Sequence, residues 1–233
     1  VSPQRNRVMV AWMNMWERYY VLDHLDHGWN GSMTFPRTLR LRDNHLYQWP
    51  VAGLKRYRQA YIRFEAINLC QGKTFTHPEL NGCCSDIECL VDVKQGVLKI
   101  HLFAPEKGTS DAEVQIDPGF VLELDHEQQQ VRMCRNQGIH PIRSTRVVSQ
   151  MENLSDDSDS DQIRRLDMPL NGPVQLRILL DNSSVEVFIN EGAHTMTALY
   201  FGQPGQGGVS FTATGQTEIL RLERWMIGEE RKG

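Results

Sequence analysis

Residues 28–37 read Gly28-Trp29-Asn30-Gly31-Ser32-Met33-Thr34-Phe35-Pro36-Arg37, and the chain continues through Leu39, Leu41, Asp43, Asn44, Leu46, Tyr47, Gln48, Pro50 and Val51. Alternation at Leu39 and Leu41, resumed at Leu46 and Gln48 beyond Asp43-Asn44, predicts a β-hairpin rather than a helix. Gly31 and Pro36 punctuate its entry, where a strand starts or bends.

Working outward, residues 7–13, Arg-Val-Met-Val-Ala-Trp-Met, form a short apolar run that predicts a buried strand. Residues 14–27 mix charge with aromatics and read as a loop. Pro50, followed by Leu54, Tyr57 and Tyr61 at spacings of three and four, predicts a short helix or turn. A domain boundary is placed there, dividing residues 1–59 from 60–233.

The remainder is a series of short alternating segments separated by turn residues. Segments 91–93 and 97–103 flank Gln95-Gly96, and 120–124 and 131–135 flank a polar turn. Segments 174–180 and 185–189 flank Asn182-Ser183, and 195–201 follows Glu191-Gly192, with 209–213 and 218–225 closing the series. That spacing predicts an all-β sandwich.

A second string lies inside this region: Asp181-Asn182-Ser183-Ser184-Val185-Glu186-Val187-Phe188-Ile189-Asn190, then Gly192. The first string resembles the motif that closes the catalytic propeller of glycoside hydrolase family 32, the invertases and sucrose-6-phosphate hydrolases. The second resembles the strand pair that marks the family's C-terminal domain, and the two stand in the family's order. The resemblance covers nearly the whole chain, with residues 66–117 the least characteristic. It implies the partial last blade of a five-bladed β-propeller followed by a C-terminal β-sandwich, and hydrolysis of a β-fructofuranosidic bond in sucrose or sucrose 6-phosphate without a cofactor.

Retaining glycosidases need two carboxyl groups about 5 Å apart, one as nucleophile and one as acid/base. The resemblance places the family's catalytic carboxylates upstream of Val1, so no catalytic residue is assigned in this chain. Three strings imitate the missing motifs. Trp12-Met13-Asn14 runs on into Met15-Trp16 instead of Asp-Pro, Arg42-Asp43-Asn44 lacks the proline, and Glu88-Cys89 falls in the sandwich. The expectation is a C-terminal fragment, inactive alone, whose sandwich has a structural or oligomerising role. Two alternatives stand beside it: a carbohydrate-binding sandwich using Tyr200, Phe201 and Trp225, and a subunit completed in trans by an N-terminal catalytic chain. With the rest of the propeller absent, the edge at residues 7–13 is expected to self-associate, to be covered by such a partner, or to leave residues 1–50 rearranged.

By the resemblance, Trp29 borders the sugar pocket and would contact a fructose or glucose ring of a fructoside ligand; read locally, it is an exposed or packed aromatic. Trp12, Met13 and Trp16 lie near the same rim by analogy, although such residues more often belong to cores. Asp23, His24, Asp26 and His27 suggest a metal or acid/base cluster, with a solvated loop as the plainer reading. Asp181 and Glu186 are read as turn and surface carboxylates, with Arg37 and Arg177 as structural partners for them.

Composition narrows the partners. A net charge of −4 over 233 residues argues against nucleic acid and anionic membranes, and no apolar run is long enough to span a bilayer. The polar residues 1–7 are unlike a signal peptide and predict a cytoplasmic location. Five cysteines, Cys70, Cys83, Cys84, Cys89 and Cys134, lack paired C-x-x-C spacing, so free thiols and no metal are expected. The run from Ser155 to Asp161 alternates Ser and Asp as a calcium loop does, but lacks the turn glycine and the distal glutamate.

Overall fold

The computed structural model describes residues 7–13, 18–19, 31–105, 119–135, 143–144, 163–202 and 206–229. In chain order come β1 (Arg7–Met9), β2 (Arg18–Tyr19), β3 (Arg37–Arg42) and β4 (His45–Pro50), then a 3-10 turn at Ala52–Tyr57. There follow β5 (Arg58–Leu69), β6 (Thr74–Thr76), a second 3-10 turn at Pro78–Leu80, β7 (Ser85–Val93) and β8 (Val97–Pro105). The chain continues with β9 (Phe120–Asp125), β10 (Gln130–Arg135), β11 (Arg143–Ser144), β12 (Ile163–Asp167) and β13 (Val174–Asp181). It ends with β14 (Ser184–Ile189), β15 (His194–Leu199), β16 (Gln206–Ala213) and β17 (Thr217–Ile227). The fold is all-β, as the alternation requires.

The hairpin forms where its residues place it. Asp43 and Asn44 both take left-handed backbone, φ 51° and 58°, as a two-residue turn between twisted strands demands. β3 pairs with β4 on one side and with β1 on the other. The segment 7–13 is a strand only at its start, and it is not buried: Val8, Val10 and Trp12 lie exposed, while Met13 is inside. Residues 14–27, read as a loop, contain the short β2, which pairs with β11.

Two six-stranded sheets make the sandwich, ordered β15-β14-β13-β7-β17-β5 and β12-β10-β9-β8-β16-β6. Their inner faces interdigitate: Ile87, Cys89 and Val91 of β7 and Leu176 and Ile178 of β13 belong to one core with Leu98 and Ile100 of β8 and Leu122 and Leu124 of β9. Each such buried side chain contributes about 1.5–3 kcal/mol over exposure. Burial pushes the Cys89 thiol up to about 12, so it packs as a small apolar group. All five cysteines are free.

Gln95-Gly96 joins β7 to β8, which lie in different sheets, so this turn is a corner of the sandwich. One local expectation changes. The helix or turn expected over residues 50–65 stops at Tyr57, and Tyr61 belongs to β5. There the period is two, with Ile62 and Phe64 packed on the core and Tyr61, Arg63 and Glu65 exposed. Ala66, at φ 53°, resets the parity so that Ile67 and Leu69 turn inward. Among the described residues no helix is long and apolar enough to cross a membrane.

Candidate functional site

The two sequence motifs meet in space. Glu186, on β14, points away from the sandwich core, yet it is fully buried because residues 35–37 lie over it. Phe35 donates its backbone N–H to Glu186 Oε1 at 2.6 Å, and Arg37 donates Nη2 at 2.6 Å and Nε at 3.1 Å to Oε2. The same guanidinium reaches Thr197 Oγ1 at 2.6 Å and Gln48 Oε1 at 3.0 Å. Every donor edge of Arg37 is therefore spent, on Glu186 and Thr197 across the seam and on Gln48 within the hairpin.

Backbone closes the seam beside it. Gln48 donates its N–H to the Gly192 carbonyl at 2.9 Å. Gly192 has φ +84°, and a Cβ there would run into the Gln48 carbonyl, so glycine is required on both counts. Trp49 sets its edge against Phe188 with 6.0 Å between centroids, and the Arg177 guanidinium lies 5.5 Å from the Trp49 ring.

Burial pushes the Glu186 carboxyl above its ordinary range, while the Phe35 N–H and Arg37 pull it back. His194, 5.9 Å from His45 between ring centroids, is held down by burial and then by the neighbouring imidazole. Its contribution to the seam is present above the ordinary 6.5 and is lost as pH falls through the lowered value. Cleavage of residues 31–51 by a protease is accordingly expected to speed up on going from about pH 7 to about pH 5.5, and to lose most of that increment in His194→Asn. An unchanged pH profile in the variant would contradict this.

A second charged group lies on the same sheet. Arg177 donates Nε at 3.0 Å and Nη2 at 2.8 Å to Asp86, whose Oδ2 also receives Arg58 Nε at 2.7 Å. Arg58 pairs with Glu88 as well and lies 3.7 Å above the Trp225 ring, which stacks on Tyr61. Of the two arginines expected to serve Glu186 and Asp181, Arg37 does so and Arg177 turns to Asp86. Asp181 instead accepts the Asn182 N–H at 2.8 Å, which is turn chemistry. Glu186 is not the solvated carboxylate that alternation implied. Asp86 was missed, although Asp86 and Glu88 alternating with Ile87 and Cys89 do mark a charged face opposite the core.

Trp12 is half exposed and forms a bridge with Met33, and a Cβ on Gly31 would come within 2.9 Å of its Nε1. Trp16, Trp29, the cluster at Asp23, His24, Asp26 and His27, and the run from Ser155 to Asp161 lie outside the described residues. Tyr200 and Phe201 are buried, so of the sandwich aromatics offered as a sugar platform only Trp225 faces outward. Among the described residues no three His, Cys, Asp or Glu side chains gather as a metal would need. Chemically, Glu186 and Asp86 are each consumed by arginine: the first pair joins the hairpin to the sandwich, the second ties strands of one sheet, and neither carboxylate is left free to shuttle a proton.

A family model described as the C-terminal domain of glycosyl hydrolases family 32 matches residues 54–226, and one for the family's N-terminal domain matches residues 1–50. The chain is 26% identical over 232 residues to a sucrose-6-phosphate hydrolase of Escherichia coli, covering 98% of this chain and 41% of that protein. It is 26% identical to a levanase of Bacillus sp. strain L7, covering 95% of this chain and 22% of the levanase. The structure resembles a sucrose-6-phosphate hydrolase from Lactobacillus gasseri with a TM-score of 0.69 at 18% identity, over 97% of this chain and 39% of that one. It resembles an exo-inulinase from Aspergillus awamori with a TM-score of 0.67 at 22% identity, over 98% and 41% respectively. The chain thus spans well under half the length of these relatives.

Proposed function

The chain belongs to glycoside hydrolase family 32, and from that premise we propose that it supplies the closing blade strands and the C-terminal sandwich of a β-fructofuranoside hydrolase acting on sucrose or sucrose 6-phosphate. Its own task is structural: the sandwich clamps the last blade through Arg37 and Glu186, and the catalytic carboxylates belong to the remainder of the propeller. The observation that carries this reading is the meeting of the two motifs in one buried ion pair. A residue pair that joins the blade to the sandwich is what a scaffold needs and what a proton-transfer site cannot spare.

The hairpin side supports the same reading. Val8, Trp12, Leu41 and Leu46 leave apolar surface uncovered, with Leu41 74% exposed. That surface fits a neighbouring propeller segment, supplied by the same polypeptide or by a partner chain. Trp12 and Trp29 are proposed to border the fructoside once that segment is in place.

Purified residues 1–233 are expected to release no glucose from sucrose above buffer. Mixing with a separately expressed N-terminal propeller half of a family member is expected to give a stoichiometric complex by light scattering together with sucrose hydrolysis. Turnover by the chain alone, surviving repurification, would overturn the structural assignment and direct attention to carboxylates within these residues.

A further inference from the structure

Four turns gather at one end of the sandwich along the edge made by β5 and β6, across the charged sheet from β15, the strand that meets the hairpin. They line an open-sided cavity of about 540 Å³, a volume within the usual range for small-molecule sites. Its wall carries Asn68, Gln71, Lys73, Gln95, Glu127 and Gln216, with the buried Leu69 beneath. Among the described residues the side-chain amides of Gln71, Gln95 and Gln216 make no hydrogen bond, and Lys73 and Glu127 make no ion pair. These groups are exposed and unspent on the protein itself.

The walls are fixed by backbone. Lys94 and Gln95 donate their N–H groups to the Gln216 carbonyl at 2.9 and 3.1 Å, Val97 donates to Thr214 Oγ1 at 2.9 Å, and His126 donates to the Gly96 carbonyl at 3.0 Å. Glu127 and Gln128 donate to Asp125 Oδ1 at 3.1 and 3.0 Å, and Lys73 donates to the Cys70 carbonyl at 3.0 Å. Gly96, at φ +71°, sits where a Cβ would meet Thr214 Oγ1 at 2.7 Å, so the two turns interlock. A cavity with such walls needs little reorganisation to bind.

We propose that this cavity is a binding site for a neutral, polyhydroxylated ligand, a sugar or short oligosaccharide. A carboxamide both donates and accepts, as a hydroxyl does, so three unspent amides match a hydroxyl-rich surface and would be poorly used by an apolar molecule. One ammonium opposed by one carboxylate gives no net charge to select a phosphate or a cation. The inference does not depend on the hydrolase reading, which only suggests which sugars to try first.

The test is titration calorimetry on the purified 233-residue chain with fructose, glucose, sucrose and a fructan trisaccharide, with inorganic phosphate as the charged control. At least one sugar is expected to bind with a dissociation constant in the millimolar range. Gln95→Ala and Gln216→Ala are each expected to weaken it about threefold to tenfold, the value of one net hydrogen bond. Both positions are exposed, so thermal melts should match the parent, and Arg40→Ala on the hairpin should leave binding unchanged. Saturation by none of the sugars up to about 50 mM, an affinity unaltered in the double variant, or stronger binding of phosphate would each overturn the assignment. Since the readout is binding, absence of sucrose hydrolysis leaves the proposal standing.

Discussion

Glu186→Ala is expected to free the hairpin from the sandwich. Removing one partner of a buried ion pair costs about 3–5 kcal/mol, because the other charge is left without water or counter-ion. Here the orphan would be Arg37, whose side chain is 6% exposed, and the Phe35 N–H would lose its acceptor too. Arg37 can escape that cost only by lifting off, and the Gly192 carbonyl would then release Gln48 as well. Limited proteolysis should therefore cut residues 31–51 much faster in the variant while the sandwich fragment survives intact. Arg37→Met with Glu186→Leu should recover most of the protection, since replacing a buried pair by apolar groups is often neutral. Unchanged cleavage in Glu186→Ala would show that the ion pair does not hold the seam.

The same carboxyl gives a pH signature. Its value in the docked state lies above the ordinary 4.5, so its contribution to docking is complete below 4.5 and declines as pH rises through the docked value. This opposes the sign of His194. Glu186→Gln should therefore steepen the loss of docking on acidification, leaving the histidine effect unopposed.

Only some of these features were legible in the sequence. The hairpin was, because Asp43-Asn44 between alternating strands has one economical conformation, and the two left-handed residues confirm it. The sandwich was, because turn residues recur at the spacing short strands require. The sheet to which each strand belongs was not: Gln95-Gly96 looks like any hairpin turn, and only packing against Thr214 and Gly215 makes it a corner. Alternation correctly set Glu186 outside the core, but period two says which face a residue takes and nothing about what covers that face. Its cover, residues 35–37, lies about 150 positions earlier. Tyr61 illustrates a smaller failure, in which a three-four spacing outweighed the inward Ile62 and Phe64 beside it.

Asp86→Ala should be costly for the same electrostatic reason but with a different outcome. Arg177 is 1% exposed on β13, a strand flanked on both sides by β14 and β7. Losing Asp86 removes acceptors at 2.8 and 3.0 Å, and Glu88, at 3.8 Å from Arg177 Nε, is too far and too engaged with Arg58 to replace them. Unlike Arg37, this guanidinium sits on the sheet itself, with Trp49 above it, so it cannot reach water without separating interior strands. The penalty of about 3–5 kcal/mol must then fall on global unfolding, and the urea midpoint should drop with little change in slope. Asp86→Asn, which keeps one acceptor in place, should lose less. Arg177→Met with Asp86→Leu should return the midpoint toward the parent, whereas a double variant as unstable as Asp86→Ala would mean that the pair is needed for packing rather than for charge balance. Two ion pairs of one chemistry on one sheet would thus report two different units of unfolding, the seam and the sandwich, because only one of the two arginines has a way out.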